Sequence, residues 1–128
     1  MKINKIHHIA IICSNYEASK KFYTEILGFK IKKETYRAER ESYKLDLMLN
    51  KDYIIEIFSF PNPVSRPTRP EAMGLRHLAF EVDNLDEAIN YLEKNGVNTE
   101  GVRIDEITNK RFTFFNDPDH LPLEIYEK

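Results

Sequence analysis

Residues 75–97 read LRHLAFEVDNLDEAINYLEKNGV, and this stretch decides the fold. Its first part alternates as a strand does. Leu78, Phe80 and Val82 share one side, and His77, Ala79 and Glu81 share the other. Asn84 follows with Glu87 three residues on, the pattern of a capped helix start. Leu85, Ala88, Ile89 and Leu92 then fall at helical spacing, and Gly96 stops the helix. The apolar side of the strand must pack against that helix. His77 is therefore expected on the face turned away from it.

The same design opens the chain, where residues 6–29 read IHHIAIICSNYEASKKFYTEILGF. At one offset of 69 (77 − 8), His8 matches His77, Ala10 matches Ala79, Asn15 matches Asn84 and Phe22 matches Tyr91. Downstream, IIEIF around Glu56 matches PLEIY around Glu124 at an offset of 68 (124 − 56). Each half reads β, α, β, β, β. A half of this size buries too little surface to stand alone. The expectation is an α+β fold in which two tandem βαβββ repeats form a shared, cleft-containing curved sheet. Residues 1–60 form repeat one and 74–128 repeat two of a single domain. Residues 61–73 hold four prolines, Pro61, Pro63, Pro67 and Pro70, and read as a stiffened linker.

Within repeat one, Ile3–Ile12 is apolar on both parities and reads as a strand covered on both sides. Ser14 with Glu17 three residues on reads as a capping box. Tyr16, Ser19, Phe22, Tyr23 and Ile26 form the inner helical stripe, closed by Gly28. Further strands are expected over 30–36, 43–49 and 53–60, and in repeat two over 99–107, 111–115 and 121–127.

Composition narrows the function classes. The 128 residues include 41% hydrophobic residues and 15 aromatics, enough for a core. A net charge of −2 and a pI near 6.1 give no basis for binding nucleic acid or an acidic membrane surface. Cys13 is the one cysteine, so no internal disulfide forms, and its apolar strand makes it a small core residue. No basic-then-apolar leader pattern is visible, and no apolar run reaches the roughly 18 residues that span a bilayer. A cytoplasmic location is the expectation.

Parity then assigns the chemistry. Each half puts one histidine on the strand face away from its helix, and one glutamate at a like position among isoleucines and aromatics. A lone histidine in an apolar strand is usually a satisfied core residue, and a lone glutamate is usually an edge charge. Two such pairs in register with an internal repeat are harder to explain that way, because unpaired buried carboxylates are costly. His8, Glu56, His77 and Glu124 together can hold a divalent cation with positions to spare. Ala10 and Ala79 would keep the space above it open. His7 and His120 have no counterpart in the other half.

The HHIAII opening, the Glu56 strand, LRHLAFEVDN and the closing FFNDPDHLPLEIYE resemble the vicinal oxygen chelate superfamily, and within it the glyoxalase I-like proteins. The likeness covers essentially the whole chain. It implies that His8, Glu56, His77 and Glu124 are metal ligands. His120 departs from the pattern, standing where glycine is usual. Keeping carboxylates at both positions resembles the isomerase branch, since ring-cleaving dioxygenases and fosfomycin-type thiol transferases lack one at the Glu56 position.

The resemblance implies a lyase that converts a hemithioacetal of a 2-oxoaldehyde such as methylglyoxal into a 2-hydroxyacyl thioester. Proton transfer would pass through a metal-bound enediolate. Glu124 is the candidate base, and Glu56 stays a ligand or returns the proton. Ni2+ or Zn2+ would serve, one per site. Glutathione or another thiol is the implied co-substrate, and a homodimer the implied assembly. The alternatives are another enzyme of this type, an epimerase or ring-cleaving dioxygenase, or a non-catalytic small-molecule binding or resistance protein. Arg37, Arg66, Arg69, Lys110 and Arg111 can bind a substrate carboxylate. Arg37 and Arg111 are favoured because each adjoins a strand expected to edge the pocket. Phe58, Phe60, Phe112 and Phe114 either wall the cavity or fill the core.

Overall fold

The computed structural model describes all 128 residues. The chain divides into two compact units, Met1–Val64 and Ser65–Lys128. The first holds β1 (Ile9–Cys13), α1 (Tyr16–Lys21), β2 (Lys30–Arg37), β3 (Ser42–Leu49) and β4 (Asp52–Ser59). The second holds β5 (Leu78–Val82), α2 (Leu85–Lys94), β6 (Arg103–Ile104), β7 (Arg111–Asn116) and β8 (Pro122–Glu127). The strands form two four-stranded sheets, ordered β1-β4-β3-β2 and β5-β8-β7-β6. The α+β class and the doubled βαβββ order both follow from this.

The repeat extends to the register. β1 runs parallel to β4 with Ala10 beside Glu56, and β5 runs parallel to β8 with Ala79 beside Glu124. A parallel pair needs a crossover, and α1 and α2 supply it. One side of each sheet takes the helix. In the first unit Ile11, Cys13, Leu45, Leu47, Ile55 and Ile57 are buried with Tyr16, Phe22 and Tyr23 of the helical segment. In the second, Leu85, Leu92, Phe115, Leu123 and Ile125 play the same part. Each such aliphatic side chain contributes about 1.5–3 kcal/mol on burial.

Local structure departs from the sequence reading in four places. The first strand begins at Ile9 rather than Ile3, and Ile3, Ile6 and Ile12 are exposed. An apolar run becomes a strand only where a ladder partner exists, and pairing with β4 starts at Ile9. The first helix is capped by Asn15, whose side chain accepts the Ala18 N–H at 3.0 Å, not by Ser14. Asn84 does the same for the Glu87 N–H at 3.1 Å, so the caps also repeat. After Lys21 the helix widens into a π-helical turn, Phe22–Ile26, before Gly28 at φ +79°. The strand expected over 99–107 shrinks to two residues, because Asp105 Oδ1 accepts the N–H groups of Ile107 and Thr108 and turns the chain.

The proline-rich segment is not a free spacer beyond Val64. Thr68 Oγ1 donates to the His120 carbonyl at 3.0 Å, and Arg66 Nη2 donates to the Leu75 carbonyl at 3.2 Å. His120 keeps a left-handed φ of 63° in its turn, the conformation for which glycine is the easier choice. Asp117 Oδ1 holds that turn by accepting from the Asp119 and Leu121 N–H groups.

Candidate metal and proton-transfer site

Each candidate histidine is the residue just before a five-residue strand, His8 before β1 and His77 before β5. Parity puts each on the same sheet face as the glutamate beside its strand. In the first unit His8 Nε2 lies 3.4 Å from Glu56 Oε2. In the second, His77 Nε2 lies 3.0 Å from Glu124 Oε2. Both carboxylates are buried, Glu56 at 7% and Glu124 at 8% exposure, while Ala10 and Ala79 beside them are open.

These pairs suit a cation. Two donors about 2.1 Å from an ion and at right angles to each other stand about 3.0 Å apart. Each imidazole–carboxylate pair already has close to that separation. No group of three or more histidine, cysteine or acidic side chains that could hold an ion forms, and each unit shows one imidazole–carboxylate pair. The remaining ring nitrogens differ. His8 Nδ1 is 2.7 Å from His7 Nδ1, so one ring donates and the other accepts. With His7 accepting, His8 Nδ1 carries the proton and Nε2 keeps a lone pair for a metal. Nothing in the repeat pointed to this role for His7, which has no counterpart in the second copy. His77 Nδ1 is buried without a partner.

The two carboxylates have unlike neighbours. Asp46 faces Glu56 across the β3–β4 ladder, and Phe114 faces Glu124 across β7–β8. Lys44 Nζ reaches Glu56 Oε1 at 2.8 Å and Asp46 Oδ1 at 3.0 Å. Tyr53 donates its hydroxyl to Glu56, and His8 stacks on the Tyr53 ring at 5.6 Å. Burial pushes the Glu56 carboxyl up, yet the bonds from Lys44 and Tyr53 outweigh it and leave the group below its ordinary range. Around Glu124 there is no such tether. His77 is its one ion-pair partner, and the His77 ring meets Phe114 edge to face at 5.2 Å.

The arginines separate on geometry. Arg37 donates to Ser42 Oγ at 2.7 Å and lies over the faces of Phe58 and Phe60 at 4.7 and 5.6 Å. It therefore stands on the Glu56 side of its sheet. Arg111 turns the other way. It bonds Glu127 Oε2 at 3.0 Å and reaches Asp86 of α2 at 3.0 Å, which puts it on the helix side of β7. Lys110 Nζ donates to the Lys128 carbonyl at 2.6 Å. Phe58, Phe60, Phe112 and Phe114 are all half-buried, which fits walls of an open face rather than core.

The sequence model of the Glyoxalase/Bleomycin resistance protein/Dioxygenase superfamily matches residues 5–125. The chain belongs to that superfamily. Its fold is the vicinal oxygen chelate fold. Superfamily members typically bind a divalent metal and small-molecule substrates, often form dimers, and are often enzymes. The chain is 62% identical to the uncharacterized protein YwkD of Bacillus subtilis (strain 168) over 128 residues, covering all of both. It is 48% identical to a solved glyoxalase family protein from Enterococcus faecalis, covering 99% of this chain and 100% of that one, with a TM-score of 0.91. It is 26% identical to the lactoylglutathione lyase of Schizosaccharomyces pombe (strain 972 / ATCC 24843), across 98% of this chain and 48% of that protein. No helix is long and apolar enough to cross a membrane.

Proposed function

We propose that this protein is a metal-dependent lyase of the glyoxalase I type, acting on the hemithioacetal of a 2-oxoaldehyde such as methylglyoxal. The observation that carries the reading is the repeated imidazole–carboxylate pair beside an exposed alanine, with one carboxylate tethered and the other not. His8 and Glu56 from one unit and His77 and Glu124 from the other would hold one Ni2+ or Zn2+ ion. The two units come from one chain or from two copies in a homodimer. When bound, the ion supplies Lewis acidity to two neighbouring substrate oxygens.

The chain's own groups divide the remaining work. Glu124, buried against Phe114 and ion-paired only with His77, takes the carbon-bound proton and returns it at the adjacent carbon. Glu56, held down by Lys44 and Tyr53, is the weaker base and keeps its place as a donor. Phe114 and Phe112 keep water from that face. Arg37, over Phe58 and Phe60, presents a cation to an anionic part of the substrate, such as the carboxylate of glutathione.

The test is an isomerase assay on methylglyoxal with glutathione and other thiols, with and without added Ni2+ or Zn2+, beside metal analysis of the purified protein. Metal-dependent thioester formation is expected. Oxygen consumption with iron would point instead to a dioxygenase. Tight ligand binding without turnover or metal would point to a binding protein.

A further inference from the structure

We propose that the second unit carries an oxyanion subsite beside His77, formed by Arg66 and Arg69 and taking a carboxylate of the substrate. A cavity there is lined by Arg66, Arg69, Arg76 and Arg103 together with His77 and Phe114. Two of the four guanidiniums are already matched. Arg76 holds Glu71 through two bonds, of 3.0 and 2.9 Å, and Arg103 pairs with Glu100 while lying over the Phe114 ring at 5.4 Å. With Glu71 and Glu100 also on the wall, four arginines against two acids leave a net charge of +2 (4 − 2).

The surplus lies on Arg66 and Arg69. Neither forms an ion pair: Glu71, which also feels the charge of Arg69, is held by Arg76. Arg66 spends Nη2 on the Leu75 carbonyl, and its Nη1 is buried with no acceptor. A buried guanidinium N–H without an acceptor is unfavourable, and an incoming oxyanion removes that penalty. The planar fork of arginine matches the two oxygens of a carboxylate or phosphate. Pro67 and Pro70, each directly after one of these arginines, and the Thr68 bond to His120 hold the segment in place before a ligand arrives.

The location gives the ligand class. His77 lines the same cavity that Arg66 and Arg69 charge, so an anion seated there lies beside the candidate proton-transfer site. The substrate would then carry a carboxylate that reaches this cavity while its reacting oxygens face His77 and Glu124. That placement rests on the function proposed above, whereas the subsite itself needs no metal.

The experiment uses the full chain stripped of metal with a chelator. Succinate and inorganic phosphate are titrated separately, followed by calorimetry and by backbone amide shifts. Saturable binding is expected, with shifts confined to residues near Arg66, Arg69 and His77, and with succinate the tighter ligand. Arg69→Gln, at an exposed position, should weaken binding by about tenfold or more while the thermal midpoint is unchanged. Arg66→Gln should weaken binding as much, with some loss of thermal midpoint because it also removes the bond to the Leu75 carbonyl, and Arg111→Gln should leave binding unchanged. Tighter phosphate than succinate would overturn the carboxylate assignment. Undiminished binding in both Arg66→Gln and Arg69→Gln, or no binding at all, would overturn the subsite. Glu56→Gln separates the two readings, because it removes a metal donor from the other unit and should leave succinate binding intact.

Discussion

Phe114 stands across the ladder from Glu124 at the position where Asp46 stands across from Glu56. The same rung of a repeated sheet therefore carries an aromatic ring in one unit and an acid, with Lys44 and Tyr53 close by, in the other. The buried carboxylate facing the ring has a histidine as its one ion-pair partner. The one facing the acid is held by an ammonium and a phenol.

That difference predicts unequal outcomes for two like substitutions. Glu124→Gln should lower kcat on the order of 10²–10⁴ while bound metal remains measurable. Glu56→Gln should act mainly through weaker metal retention, with activity recovering at high added Ni2+ or Zn2+. Steady-state rates beside metal content check both, and full activity of Glu124→Gln would refute its role as base.

Ala79 should tolerate size structurally but not functionally. It is exposed, so Ala79→Leu should change stability within about 0.5 kcal/mol. The added side chain would rise beside Glu124 and occupy the space a substrate needs. Thermal melts and KM values separate the two effects. An unchanged KM would show that the alanine face is not where the substrate lies.

Metal should register as stability even where no substrate is known. An ion that binds only the folded chain adds about 2.7 kcal/mol when free metal is at 100 times its Kd. Ni2+ or Zn2+ should raise the melting temperature of chelator-treated protein, and His77→Ala should remove the rise. Equal shifts in the two proteins would place the ion elsewhere.

Glu34 supplies a pH signature away from the site. Lys20 donates to Glu34 Oε2 at 2.7 Å and Tyr16 donates to it as well, and these bonds hold the Glu34 carboxyl below its ordinary range despite some burial. A depressed folded value stabilises above the unfolded pKa and is lost as pH falls through the folded one. Half-exposed ion pairs are worth about 0.2–1 kcal/mol. Glu34→Gln should therefore be less stable by that much at neutral pH, with the gap closing below about pH 4. Denaturant midpoints at several pH values read this directly.

The two asparagine caps give a backbone test. Asn15→Ala and Asn84→Ala should each cost about 1 kcal/mol, since each leaves one first-turn N–H without its acceptor. A cost for Asn84→Ala alone would mean that the first helix starts elsewhere.

Much of this was legible in the residues, and the failures have physical causes. Alternation in LRHLAFEVD told which face His77 takes, because the period of a strand is two and its helix covers one side. The repeat offset then brought Glu56 and Glu124 to like rungs. Ser14 reads as the cap because a serine with glutamate three residues on satisfies the same hydrogen-bond rule that Asn15 meets in the structure. Only the match of Asn15 to Asn84 argued the other way. Arg111 misled because adjacency to a strand does not say which side of the sheet a residue takes. Its partners Asp86 and Glu127 lie far off in sequence. Arg66 and Arg69 stand among the carboxylate-binding candidates of the sequence, but the cavity they share was hidden for a similar reason. A proline-rich segment looks like a spacer until Thr68 and Arg66 find carbonyls to hold.

A duplicated unit begins with two copies of every part, and here the copies have kept the same acid while changing what surrounds it. Lys44 and Tyr53 are the anchor of one copy, and nothing of the kind restrains the other. A molecule built this way can assign gripping to one carboxylate and movement to its twin, without inventing a new position for either.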